Sequence, residues 1–149
     1  MGCDIHAHME IKVDGEWFYY APVHIRRNYA LFTRLANVRP GWHATIEPIS
    51  DPRGLPDDLE LADTTKLHLA VWNLDGHSHS WISSQEFVDL IEWIKDNDLN
   101  LVDRKSYSWN VLTDDWLYLF GSAFDDFYKY PEDNYENVED FRMIFWFDN

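Results

Sequence analysis

Residues 3–12 read CDIHAHMEIK, and this stretch decides the fold because its apolar and polar side chains alternate along the chain. A period of two is typical of a β-strand that buries one face. Asp14 and Gly15 follow at once and are a strong hairpin signal. The next stretch, EWFYYAPVHI (16–25), is therefore predicted to pair antiparallel with the first strand, and Pro22 to end it or to mark a sheet edge.

Two helices are predicted from their capping residues and apolar stripes. Asn28 is a good N-cap for a stripe at helical spacing that Pro40 and Gly41 bring to an end. Ser83 and Glu86 form a capping box ahead of a second stripe.

The remaining segments complete the predicted fold. Residues 57–73 suit either a helix or a strand, and a further helix is predicted to begin at Thr113. The closing FRMIFWFDN (141–149) is largely apolar on both faces, which is typical of a central strand. Together the patterns predict one globular domain over 1–149 of the α+β class. Its small, mainly antiparallel sheet consists of the N-terminal hairpin and the C-terminal strand, packed with about four helices.

The composition argues against several classes of protein. Cys3 is the single cysteine, so no internal disulfide is expected, and its place on the apolar face predicts a packed thiol in a cytoplasmic protein. The N-terminus has no signal-peptide pattern, and no apolar run approaches the ~20 residues of a membrane span. A net charge of −15 argues against direct binding to nucleic acid or to anionic membranes. The sequence does not indicate an oligomeric state.

The charge is uneven, and its basic part predicts an anion site. Residues 17–56 hold five arginines against two acidic residues. Two prolines stiffen the loop PISDPRGLPDD (48–58) around Arg53, whose guanidinium suits bidentate binding of phosphate or carboxylate. The alternative is a structural clamp, with Arg53 bonded to neighbouring carbonyls or to Asp58.

The polar face of the first strand is a second candidate site. In an extended strand Asp4, His6, His8 and Glu10 stand in one row, with neighbours ~7 Å apart. Such an H-x-H pair can chelate one metal ion, with a carboxylate completing the shell. The alternative is the solvated face of an edge strand.

A second H-x-H pair lies in DGHSHSW (75–81), which is expected to be a loop that presents side chains and backbone N–H groups to anions. The two clusters are predicted to meet, with both polar rows facing one cleft and Arg53 on its rim. The alternative is that the serines form local turn hydrogen bonds and the histidines are solvated. Neither cluster contains the H-x-[ST] pair of two-histidine phosphoesterases, which disfavours that family.

Five stretches together resemble an uncharacterised family of small phage and prophage proteins: MGCDIH, RNYALFTRLANVR, PISDPRGLPDD, DGHSHSW and FWFDN. The resemblance extends over nearly the whole chain. It carries no activity to transfer and implies a setting, an accessory protein in the cytoplasm of an infected or lysogenic bacterium. It also implies variable positions at His8 and His79 and motif positions at Asp4, His6, Glu10, Arg53, Asp58, Asp75, His77, Ser78, Ser80 and Trp81.

Three functions are compatible with these residues. The first is a metal- or His-dependent phosphodiesterase or other hydrolase that acts on a nucleotide-like phosphate ligand, such as a nucleotide signal of host immunity. The second is a non-catalytic protein that sequesters such a ligand, and the third is an acidic decoy that mimics DNA and binds a host protein. For the first, catalysis is assigned to His6, His77 and Asp75, ligand binding to Arg53, Arg26, Ser78, Ser80, Trp81 and Tyr29, and a divalent metal, Zn²⁺ or Mn²⁺, to Asp4, His6, Glu10 and His77.

Overall fold

The computed structural model describes residues 2–57, 61–97, 99, 111–113, 116–117 and 138–149. Its elements are β1 (Asp4–Val13), β2 (Glu16–Val23), α1 (Tyr29–Ala36), a 3₁₀ turn (Gly41–His43), α2 (Asp63–Val71), β3 (His77–Ser83), α3 (Ser84–Asp96) and β4 (Asp140–Asp148). Most of the helix predicted from Thr113 lies outside the described residues, as does Asp58.

Within the described residues, four antiparallel strands form one sheet in the order β2-β1-β4-β3. The α+β class is confirmed, with three α-helices in the described residues rather than about four. β4 pairs with β1 on one side and with β3 on the other, which confirms it as a central strand. Pro22 lies on β2, an edge strand, where a missing N–H interrupts no ladder.

The predicted loop DGHSHSW is wrong for most of its length, because His77–Ser83 forms a strand. Serine and histidine have modest strand preference, and the pairing with β4 overrides it. The open segment 57–73 contains a helix, α2, which begins after Ala62.

The predicted apolar face of β1 lies in the main core. Cys3 and Met9 are fully buried there, and α1 and α3 cover this side of the sheet. Burial raises the pKa of the Cys3 thiol, as expected for a packed cysteine. The Ser83 capping box begins α3 as predicted, with bonds in both directions between Ser83 and Glu86.

The opposite face of the sheet is also covered. Ile144 and Trp146 of β4 are fully buried on it, beneath Leu69 of α2 and the neighbouring Trp72. His8 and Glu10 of the polar row are therefore buried beside a second, smaller core, so the solvated-strand alternative holds only at the Asp4 end.

Candidate functional site

Glu10 lies at the closed end of the polar row, where it is fully buried. Arg142 pairs with its Oε1 at 2.7 Å, and Oε2 accepts hydrogen bonds from Ala62 N at 2.9 Å and from Thr65 Oγ1 at 2.5 Å. The carboxylate thus bonds the backbone N–H of the N-cap residue of α2 and a hydroxyl in its first turn, at the helix end that favours negative charge. Glu10 therefore fixes α2 onto the sheet.

Asp4 lies at the open end of the row and forms two 2.9 Å hydrogen bonds with Arg27. These bonds lower the pKa of the Asp4 carboxyl. Both side chains are half exposed. A Cβ on Gly2 would overlap the Arg27 guanidinium, so the glycine leaves room for this pair.

The metal set predicted from the sequence is not assembled. Asp4 and Glu10 are six residues apart on one strand, which separates them by roughly 20 Å. Their carboxylates bind arginines instead. Across the described ranges, no three His, Cys, Asp or Glu side chains converge so as to hold a metal ion.

His6 forms a dyad with Asp148, the feature of this face best suited to chemistry. Its Nε2 lies 2.7 Å from Asp148 Oδ2, and the two side chains are 25% and 17% exposed. The ring stacks on Trp72 with centroids 4.0 Å apart. A carboxylate bonded to one ring nitrogen fixes the orientation of the imidazole, an arrangement used in general acid–base catalysis.

His8 is the buried neighbour of this dyad and is held neutral. Its Nδ1 and the Tyr19 hydroxyl share a 2.8 Å hydrogen bond, and its ring stacks between His68 and Trp146. Burial, with His68 and His6 nearby, lowers the pKa of His8 to about 4. Burial also raises the pKa of Tyr19 to about 12.

The second H-x-H pair is divided by a β-bulge. His77 pairs with Phe147 and Ser80 with Phe145, so β3 has one residue more than β4 between these points, and Ser78 adopts a φ of 54° there. The register places His77 on the main-core face of the sheet, whereas the ring of His79 stacks at 6.0 Å from Trp146 on the other face.

The prediction that His6 and His77 face one cleft is therefore wrong. The bulge turns the His77 side chain to the face of the sheet opposite to that of His6. The two histidines instead reach the same end of β4 from opposite sides. His6 bonds Asp148, and His77 Nε2 lies 3.1 Å from Oδ1 of the next residue, Asn149. Arg39 donates to the same Asn149 oxygen at 3.1 Å.

Arg53 is a structural clamp, as the alternative interpretation of the sequence has it, but its charged partner is Glu86. Its guanidinium forms two bonds with that carboxylate, at 2.7 and 2.5 Å, and lies 5.2 Å above the Trp81 ring. Its backbone N–H donates to the buried Ser80 hydroxyl. The hydrogen bonds between the two charged groups raise the pKa of Arg53 and lower that of Glu86.

The other predicted site residues are dispersed. Asp75 is exposed in the turn before β3, and Arg26 is exposed after β2. Ser78 and His77 bond each other locally, at 3.0 Å. The Tyr29 hydroxyl accepts a hydrogen bond from Cys3 N at 3.1 Å.

The sequence did not predict several residues of this face: Tyr19, His68, Trp72, Trp146 and Asp148. It also did not predict Arg39 and Asn149, which meet at the end of β4 on the His77 side. Asp148 could have been found, because an antiparallel pairing of β1 with the last strand places it beside the start of the polar row. Trp72 gives no comparable signal, since only the packing of α2 brings it to His6.

Among the cavities lined by the described residues, one lies between β2 and α2 and another beside the loop of Gly54. The first has a volume of about 480 Å³ and is lined by residues 15–19, 61–64 and 66. The other, of about 380 Å³, is lined by Gly54, Leu55, Leu69, Asn73 and His79.

The comparisons with protein-family models, with curated proteins and with solved structures gave no match. None of the helices in the described part of the chain has the length and apolar character needed to cross a bilayer.

Proposed function

We propose that this protein is a hydrolase that acts on a nucleotide-like phosphate ester, as a phage or prophage accessory protein in the host cytoplasm. The observation that carries the proposal is the His6–Asp148 dyad, a partly exposed imidazole whose orientation is fixed by a carboxylate and by stacking on Trp72. A nucleotide signal of host immunity is the substrate class that fits this setting.

In the proposed reaction His6 is the general base. It takes a proton from water, whose oxygen attacks phosphorus while the ester P–O bond breaks. The imidazolium, stabilised by Asp148, then returns the proton to the leaving oxygen. In this proposal the phosphate lies past the end of β4, where it would meet Arg39, whose guanidinium bonds the neutral Asn149 carboxamide on the His77 side of that end.

Sequestration without turnover is the second candidate function. It is favoured by the wall of stacked rings, in which Trp146 lies within about 6 Å of His6, His8 and His79. Of these rings His6 and His79 are partly exposed, and such flat rings can stack on planar ligands without any chemistry.

The test incubates the protein with cyclic and linear nucleotides, with and without Mn²⁺ or Zn²⁺, and separates the products chromatographically. His6→Gln is expected to lower kcat by about 10²-fold or more, since general acid–base catalysis contributes on that scale. Asp148→Asn is expected to have a smaller effect in the same direction.

His43→Gln, in the 3₁₀ turn, is the matched control and should retain full activity. Equal turnover by the wild type and His6→Gln would contradict the catalytic role of the dyad. A nucleotide recovered unchanged after heat denaturation of the complex would support sequestration instead.

A further inference from the structure

The cavity of about 380 Å³ lined by residues of the Arg53 loop, of β3, and of α2 and the turn after it has the form of a small-molecule site. Leu55 and Leu69 supply its apolar lining, and Asn73 and His79 supply polar groups. Small-molecule pockets typically combine mainly apolar walls with a few placed hydrogen-bonding groups, in volumes of about 300–1,000 Å³.

Its lining suits an uncharged ligand that both donates and accepts hydrogen bonds. The described lining contains no Asp, Glu, Lys or Arg side chain. The Asn73 carboxamide offers both a donor and an acceptor. His79 is biased toward the neutral form, which also offers one of each, because burial and the nearby His77 lower its pKa.

The loop wall of the cavity is held in place by β3. Gly54 N donates to the His79 carbonyl at 2.8 Å, and Arg53 N donates to Ser80 Oγ at 3.1 Å. Gly54 has a φ of 80°, a conformation that favours glycine. A wall fixed in this way loses little conformational entropy when a ligand binds.

The cavity and the dyad are connected through the smaller core. Leu55, Leu69 and Trp72 pack against the buried cluster that contains Trp146, and Trp72 stacks on His6. The buried Trp146 Nε1–H has no hydrogen-bond partner among the described residues. A ligand in the cavity that carries a second group past Trp72 would present that group to His6.

We propose that this cavity binds the nucleobase of a nucleoside or nucleotide, with the planar ring between Leu55 and Leu69 and its polar edge on Asn73 and His79. The base site rests on the proposed function only in that the phosphate of a bound nucleotide would lie at His6. Binding of the base itself requires no hydrolysis. Asparagine side chains recognise base edges through this same pairing of one donor with one acceptor.

The test titrates adenosine, inosine, cytidine and uridine into the whole protein by isothermal calorimetry. At least one nucleoside is expected to bind saturably. Leu69→Trp fills the cavity and should weaken that binding at least tenfold. Leu67→Trp, on the exposed side of the same helix, makes the same change outside the cavity and should leave binding intact.

Asn73→Leu preserves the size of the side chain and removes its hydrogen bonds, and is expected to weaken binding about three- to tenfold and to change the order of preference among the four bases. Thermal melting of each variant establishes that it is folded.

The outcomes separate this inference from the proposed hydrolase. If the wild type hydrolyses no nucleotide but binds a nucleoside, and His6→Gln binds it equally well, the base site is supported and the proposed hydrolase is ruled out. Nucleotide hydrolysis with a KM that is unchanged by Leu69→Trp would retain the enzyme and overturn the base site. A wild-type protein that binds none of the four nucleosides at millimolar concentration would also overturn it.

Discussion

Glu10→Gln tests whether the buried end of the polar row is structural. The substitution keeps the shape of the side chain and removes its charge. The new amide oxygen can still accept bonds from Ala62 N and Thr65, but Arg142, which is 5% exposed, loses the carboxylate at 2.7 Å. Removing one partner of a buried ion pair destabilises a protein by about 3–5 kcal/mol.

We expect a loss near the lower limit, about 3 kcal/mol, because the amide retains part of the hydrogen bonding. Domains of this kind are stable by about 5–15 kcal/mol, so the loss is a large fraction of the total. It corresponds to a fall in Tm of about 6–12 °C for a chain of this size. The measurement is urea denaturation followed by tryptophan fluorescence, with thermal melting alongside.

The double variant Glu10→Gln/Arg142→Met separates the ion pair from general damage to the core. It should be more stable than Arg142→Met alone, since a buried carboxylate without its arginine is costly. Glu92→Gln, on the exposed side of α3, should change the free energy of unfolding by less than about 0.5 kcal/mol. A loss below about 1 kcal/mol in Glu10→Gln would refute the reasoning.

Three further substitutions have defined outcomes. Gly76→Ala places a Cβ 2.8 Å from the Trp72 carbonyl oxygen, so it should lower the free energy of unfolding by about 1–3 kcal/mol and shift the tryptophan emission. Unchanged emission and stability would contradict this close packing. The pKa of His8 is about 4 in the folded protein and about 6.5 in the unfolded chain, so its contribution to stability is full above pH 6.5 and falls by about 3 kcal/mol toward pH 4. The free energy of unfolding of His8→Gln, measured by denaturation across that range, should lack this fall, and an equal pH dependence in the variant and the wild type would refute the burial of neutral His8. Arg53→Gln breaks the ion pair with Glu86, so it should lower the free energy of unfolding by about 1 kcal/mol and weaken nucleoside binding several-fold. Unchanged nucleoside binding would show that the loop wall of the cavity does not need this ion pair.

Much of the fold follows from local signals. The alternation in residues 3–12 and the turn at Gly15 predict the hairpin, because strand period and turn chemistry are properties of neighbouring residues. The Ser83 capping box marks the start of α3 for the same reason. The pattern of β3 was missed because a bulge breaks its period of two at Ser78.

The candidate site depends on partners distant in the chain. His6 and Asp148 are 142 positions apart, and Glu10 and Arg142 are 132 apart. The sequence shows which residues are polar and that they share a face. It does not show which carboxylate, arginine or aromatic ring will lie opposite, since strand order and register decide that.

The sequence by itself determined that β1 has two chemically different faces and that β4 is apolar on both. Only the tertiary structure decided that α2 covers the polar face. Glu10 and His8 can be buried because Arg142 pairs with Glu10 and Tyr19 forms a hydrogen bond with His8. An isolated strand would not have these partners. At the open end, where that cover stops, His6 and Asp148 remain partly exposed and available for chemistry.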